Sequence, residues 1–201
     1  MIQAIIIGLV AWIYVVYLLR RSKLAFFQFI VGSVGLFVFM MIILQPILTA
    51  PLSKAVAAVT GLIGELTGTF YSYYQYSLVF IRHGADSISL YVDYECSGII
   101  EIFAFTSLLW FFPLYSVAEK FVINLIGIIW IFASNIIRMT AICLLVYFFG
   151  NDVFFFAHAI FGRIIFYALS IILFFYVFTR AQILKQKVGK FKYGDVSQSV
   201  P

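Results

Sequence analysis

Apolar residues fall along this chain in long runs separated by short polar or basic stretches. The runs cover residues 2–19, 26–48, 99–114, 121–149 and 161–178. Runs of this length with few charges are the signature of transmembrane helices. With their polar flanks they predict spans at 2–19, 26–48, 97–114, 121–149 and 158–179. The fourth run is long for one crossing, which takes about 20 residues. It is read as a single tilted or protruding helix or as a broken pair. Between the second and third spans lies a region of different texture, residues 49–95. Its first half, 51–69, carries Lys54, Glu65 and three glycines among small apolar residues. Charges and glycines weaken a full crossing, so this half is read as an interfacial or re-entrant helix. In its second half Ile88, Leu90 and Val92 alternate with Ser87, Ser89, Tyr91 and Asp93, which is strand periodicity. Residues 73–82 are aromatic and β-branched, and His83-Gly84-Ala85-Asp86 supplies a turn. The pattern predicts a β-hairpin.

Basic residues set the orientation. Arg20, Arg21 and Lys23 follow the first run, Lys120 lies between the third and fourth, and Arg180, Lys185, Lys187, Lys190 and Lys192 follow the fifth. With the N-terminus outside and the C-terminus inside, these nine of thirteen cationic residues are cytoplasmic, as the positive-inside rule requires. No basic segment precedes the first run, so it reads as a span and not as a cleaved signal. The tail, 180–201, is basic and cytoplasmic, and the whole chain reads as one integral membrane domain. Composition agrees: 65% of residues are apolar and 10% charged, and the mean hydropathy is +1.11. Soluble domains carry about 25% charge, so a soluble domain and a disordered chain are excluded. The net charge of +5 belongs to the span ends and not to a nucleic-acid face. Two cysteines are too few for a disulfide framework.

Polar groups inside apolar spans are costly, about 2.5–3.5 kcal/mol for Arg or Asp at a helix centre. The few here are therefore candidates for chemistry: Cys96, Glu101, Asn135, Arg138, His158 and Arg163. Cys96 ends the hairpin and opens the third span. Arg138 lies 18 residues past Lys120, a rise of about 27 Å along a helix, close to the full hydrocarbon thickness. His158 follows the Gly150-Asn151-Asp152 loop. The three side chains thus converge at one level on the outer face. At a strand-to-helix junction beside Arg138, Cys96 is expected to have a lowered pKa; the other reading is a small buried hydrophobe. Cys143 has only apolar neighbours and reads as inert. His158 is either a base for the thiol, an acid for a leaving amine, or an interfacial histidine bonded to a loop carbonyl. Asn135 and Arg138 share a helix face. Arg138 suits an oxyanion, a substrate carboxylate, or snorkelling to headgroups. Glu101 and Arg163 are expected to form a structural ion pair, a catalytic role for Glu101 being the other reading; Glu95 is either a solvated rim residue or a contact that orients a partner, and His83 is a turn residue. There is no HExxH, no CxxC and no histidine pair, so no metal is expected.

At these residues the sequence resembles the exosortase/archaeosortase family of membrane cysteine transpeptidases. Glu95-Cys96-Ser97-Gly98-Ile99 is similar to that family's Cys-Ser-Gly motif, Asn135-Ile136-Ile137-Arg138 to its Asn-x-x-Arg motif, and His158 with Gly162 and Phe166 to its His-x-x-x-Gly-x-x-x-Phe pattern. The motifs occur in the family's order, and the likeness covers roughly residues 40–175. Ala159 stands where the family often has an acidic residue, and the number of spans is small for the family. The compact length resembles a branch of Gram-positive bacteria called XrtG-like.

The resemblance implies an all-α polytopic membrane protein whose catalytic residues are Cys96, Arg138 and His158, with Glu95, Ser97, Gly98, Asn135, Glu101 and Arg163 supporting. It implies a peptidase or transpeptidase, without cofactor, that cleaves the C-terminal sorting signal of tail-anchored surface proteins through a Cys96 thioester in the cell membrane. A second class of reading is a non-enzymatic membrane partner in the export of surface polysaccharide or protein. A small transporter fits less well, because the polar residues gather at one face and do not line a path across the midplane.

Overall fold

The computed structural model describes residues 2–83 and 86–183. The turn residues Gly84 and Ala85, and the tail beyond residue 183 with its four lysines, lie outside the described residues. Helices dominate: α1 (Ile2–Arg21), α2 (Ala25–Ile43), α3 (Gln45–Thr67), α4 (Ile99–Phe111), α5 (Val117–Phe149) and α6 (Asn151–Ile183). Among the described residues, α2, α3, α5 and α6 are long and apolar enough to cross a membrane. The protein is an all-α polytopic membrane protein carrying one small sheet.

Three spans differ from the sequence pattern: α6 begins at Asn151, seven residues before the predicted 158, so His158 lies inside it and does not open it. The second apolar run does not continue to residue 48: α2 stops at Ile43, and Pro46 opens α3 in its first turn. Proline lacks the N–H that a continuing helix needs but is well suited to a first turn. α3 then runs through Pro51 for 23 residues, longer than an interfacial segment starting at residue 51. The third span is also shorter than 97–114. α4 has 13 residues, about 20 Å, and ends because Phe112 precedes Pro113 and adopts an extended conformation (φ −70°, ψ 124°).

The fourth run is one unbroken helix of 33 residues, about 50 Å long. Ser116 and Glu119 fix its start by a reciprocal capping box. In its second half Met139, Ile142, Cys143 and Val146 form a face that packs against the sheet, while Phe148 and Phe149 at its end are exposed. Indole N–H groups tie neighbouring helices: Trp12 donates to the Val31 carbonyl at 2.9 Å and Trp130 to that of Leu169 at 3.0 Å.

The alternating region forms an antiparallel meander of three strands, β1 (Phe70–Tyr73), β2 (Leu78–His83) and β3 (Asp86–Tyr91), where the pattern predicted a two-stranded hairpin. Residues 73–82 read as one aromatic, β-branched stretch, but a 3₁₀ turn at Tyr74–Tyr76 interrupts it, and β1 begins before it at Phe70. Ser77 closes that turn at φ +55°. No glycine or proline marks the break. Phe70, Val79, Ile81, Leu90 and Val92 point from the sheet into a core shared with α3 and α5.

The α3 face beneath the sheet is built from small residues at helical spacing, Ser53, Ala57, Thr60, Gly61 and Gly64, with Val56. At Gly64 a Cβ would lie 2.3 Å from the Phe70 carbonyl oxygen, a backbone atom that cannot turn aside. Gly64→Ala is therefore expected to lift β1 from α3 at a cost of about 1–3 kcal/mol. A lowered thermal unfolding midpoint in detergent checks this, and a midpoint equal to that of the unmodified protein contradicts the packing.

Candidate active site

Cys96 lies in the tight turn between β3 and α4, and every residue around it contributes to holding that turn. Its backbone N–H donates to Asp93 Oδ1 at 3.0 Å and lies 3.2 Å from the Asp93 carbonyl oxygen. Its carbonyl accepts a 2.6 Å bond from Asn135 Nδ2 on α5. Ser97 Oγ donates to the Tyr94 carbonyl at 2.9 Å and accepts from the Ile99 N–H at 3.3 Å. Gly98 completes the turn at φ +80°, a left-handed conformation that glycine adopts without Cβ strain. Ser97, Gly98 and Asn135 thus form the mount of the cysteine. They do not line the pocket beside it.

That pocket, of about 250 Å³, brings together Glu95, Cys96, Glu101, Arg138, His158 and Arg163, with Ile100, Phe166 and Tyr167. The Cys96 sulfur lies 4.0 Å from His158 Nε2. This is at the outer reach of a hydrogen bond to sulfur, as is common where no substrate compresses the site. The imidazole is stacked on Phe154, with centroids 5.9 Å apart and planes within 2°. It sits in a stretch, Ala157–Phe161, wound as a π-helix within α6; such distortions recur at functional sites. Arg138 is 6% exposed, and its guanidinium carbon is 5.5 Å from the Phe166 ring centroid.

Glu101 Oε2, Arg138 Nε and His158 Nδ1 are buried without hydrogen-bond partners. Leaving buried polar atoms unpaired costs about 1–3 kcal/mol each. A fold does not collect several at one place for stability, and here all three belong to side chains that line this pocket. The expected Glu101–Arg163 ion pair does not form. Both side chains reach the pocket, Glu101 from α4 and Arg163 from the exposed side of α6, but no N···O contact of 4.0 Å or less joins them. Both helices turn these side chains into one pocket without bringing them into contact.

The thiol also differs from expectation. Cys96 is 4% exposed. Burial pushes its pKa up to about 11, against the lowering effect of the Arg138 charge, and Asp93 adds to the rise. Desolvation of the anion outweighs the cation here. The resting group is therefore a neutral thiol, and it needs a base at the moment of attack. Alkylation by iodoacetamide reads this directly. The rate at Cys96 is expected to climb about tenfold per pH unit between about pH 8 and pH 10, without the plateau of an ordinary thiol near 8.5. Asp93→Asn is expected to speed alkylation at fixed pH and Arg138→Leu to slow it. A plateau below pH 8 contradicts the burial argument.

Sequence reasoning passed over Asp93 and Phe154. Asp93 had a signal, an Asx residue three positions before a turn N–H that needs an acceptor. Phe154 lies four residues before His158, the spacing of helical neighbours, but phenylalanines are too numerous here for that to stand out.

Together these features define a helical membrane protein with one pocket where a cysteine, a histidine and a buried arginine meet. A sequence profile described as transmembrane exosortase matches residues 2–176, most of the chain. The protein belongs to the exosortase family. No curated protein and no solved structure matches it.

Proposed function

We propose that this protein is a membrane-embedded cysteine peptidase or transpeptidase that cleaves a C-terminal sorting signal at the extracytoplasmic face, through a thioester on Cys96. The observation that carries this reading is the 4.0 Å approach of Cys96 Sγ to His158 Nε2 in a pocket shared with the buried Arg138. Family membership adds to it. The basic residues support this face on a five-span reading in which α3 does not cross: N-out, C-in then has the sheet and the pocket outside, although α3 is itself long and apolar enough to span.

In the first step His158 Nε2 takes the thiol proton as Sγ attacks the carbonyl carbon of the scissile peptide bond. The carbonyl oxygen becomes an oxyanion, and Arg138 supplies charge to it within a desolvated pocket. Collapse breaks the C–N bond, and the imidazolium returns the proton to the leaving amine. An amine, a hydroxyl or water then attacks the thioester, with His158 again as base, and releases Cys96 as the thiol. The partner is a tail-anchored surface protein lying in the same bilayer.

Processing of such a protein, co-expressed with Cys96→Ala, Arg138→Ala and His158→Ala variants separately, tests the proposal. Arg138→Ala is expected to lower turnover by about 10²–10³-fold, and Arg138→Lys by less, because a cation remains. Normal processing by the Cys96 variant rejects the thiol as nucleophile. One observation favours the second reading, a non-enzymatic export partner: at 4% exposure Cys96 is nearly sealed. That reading predicts a thiol no more reactive than Cys143 at every pH, with or without Arg138.

A further inference from the structure

Between Ile99 and Leu109, the α4 positions that keep some exposure are Ile100, Glu101, Ala104 and Leu108, while the rest are buried. Residues spaced by four lie on one helix face, so α4 shows the outside a single stripe. Three hollows lie along that stripe, and together we read them as one cleft. At one end Ile100 and Glu101 line the Cys96 pocket. In the middle Ala104 faces Ser33 and Phe37 of α2. At the far end Leu108 opens into an apolar groove of about 680 Å³ with Phe29 of α2 and Phe175 of α6. α6 forms the opposite wall with its own four-residue series, Arg163 and Tyr167 at the pocket, then Ile171 and Phe175 at the groove. From Arg163 to Thr179 this wall rises about 24 Å, near the hydrocarbon thickness of about 30 Å.

The geometry points to this cleft as the docking groove for one transmembrane helix of the substrate, seated on the α4 stripe between α2 and α6, with its end delivered to Cys96. What happens at the thiol rests on the peptidase reading; the groove itself does not. Three features select a helix over a lipid chain. The three hollows succeed one another along α4 up to the pocket, so an occupant lying along them is aimed at the sulfur, which a lipid tail has no need to reach. Its middle is floored by small groups without free polar atoms: Ser33 Oγ donates to the Phe29 carbonyl at 2.7 Å and Ser107 Oγ to that of Ala104 at 3.0 Å. Such residues let a helix backbone come close. At its far end the groove meets Thr179 and Gln182, a polar rim at headgroup depth for an apolar helix to end on.

Photocrosslinking tests this. Benzoylphenylalanine is placed at Ile171 in the cleft and at Leu125 on α5, residues 68% and 61% exposed and so alike in contact with lipid. The full chain in phosphatidylcholine vesicles receives a synthetic peptide with a polar N-terminal segment, an apolar helix of about 20 residues and a lysine tail. Several-fold more peptide adduct is expected from position 171 than from 125, and Ala104→Trp is expected to remove the difference. Equal yields, or lipid adducts alone at both positions, overturn the groove. The same measurement in the Cys96→Ala protein separates the two claims. Preference for position 171 without an acyl adduct on Cys96 of the unmodified protein upholds the groove and rejects the peptidase. An adduct without that preference does the reverse.

Discussion

Cys96→Ala is expected to stop substrate processing outright, with a loss on the order of 10⁴–10⁶-fold, the scale seen when a covalent nucleophile is removed. No other group in the pocket can take its place: Glu95 and Glu101 are weak nucleophiles, and Cys143 is fully buried in the core beside the sheet. Cys96→Ser is expected to be nearly as inactive, because a hydroxyl is much harder to ionise than a thiol and the group nearest to take its proton is an imidazole. The fold should tolerate both changes. The turn is held by the backbone N–H and carbonyl of residue 96, bonded to Asp93 and Asn135, and not by the sulfur. Unchanged thermal unfolding together with lost processing is the expected pair of results, read by gel shift of the substrate and by melting in detergent.

His158→Ala carries the second large effect. With a thiol pKa of about 11, only about one molecule in 10⁴ holds a thiolate at pH 7. Without a base, attack must draw on that fraction, so a loss of about 10²–10⁴-fold is expected. The sign of the pH dependence follows. The His158→Ala enzyme should gain activity steadily with pH up to about 10, as hydroxide does what the imidazole did, whereas the unmodified enzyme should not need high pH. Added imidazole should restore part of the loss, since removing the ring leaves a space against Phe154. A variant whose activity is flat with pH and indifferent to imidazole would remove His158 from proton transfer and leave it a structural role.

The sequence made the membrane class plain because a bilayer leaves no choice: apolar runs of this length must be helical and must be buried in lipid or protein. It also brought Cys96, Arg138 and His158 to one level, because helical rise converts residue counts into depth. Depth was legible; side-chain contact was not. Glu101 and Arg163 were set at similar depth correctly enough to share a pocket, yet they line it without pairing, because depth does not fix side-chain separation. Where short-range chemistry decided the outcome, sequence patterns misled in an understandable way. Pro46 starts α3 where the apolar run suggested continuity, and Pro113 stops α4 early. The turn at Tyr74–Ser77 uses a left-handed serine in place of glycine, so a third strand went unnoticed. The thiol pKa was misjudged because neighbours in sequence reveal charges, while burial is set by α5 and the sheet packing around residue 96.

Intact-mass analysis of the purified protein incubated with a tail-anchored substrate tests nucleophilic catalysis most directly. An adduct equal in mass to the acyl fragment is expected on Cys96, released by hydroxylamine as a thioester must be, and accumulating when acceptor nucleophiles are withheld. Cleaved substrate with no such adduct, or an equal adduct in the Cys96→Ala protein, would contradict it.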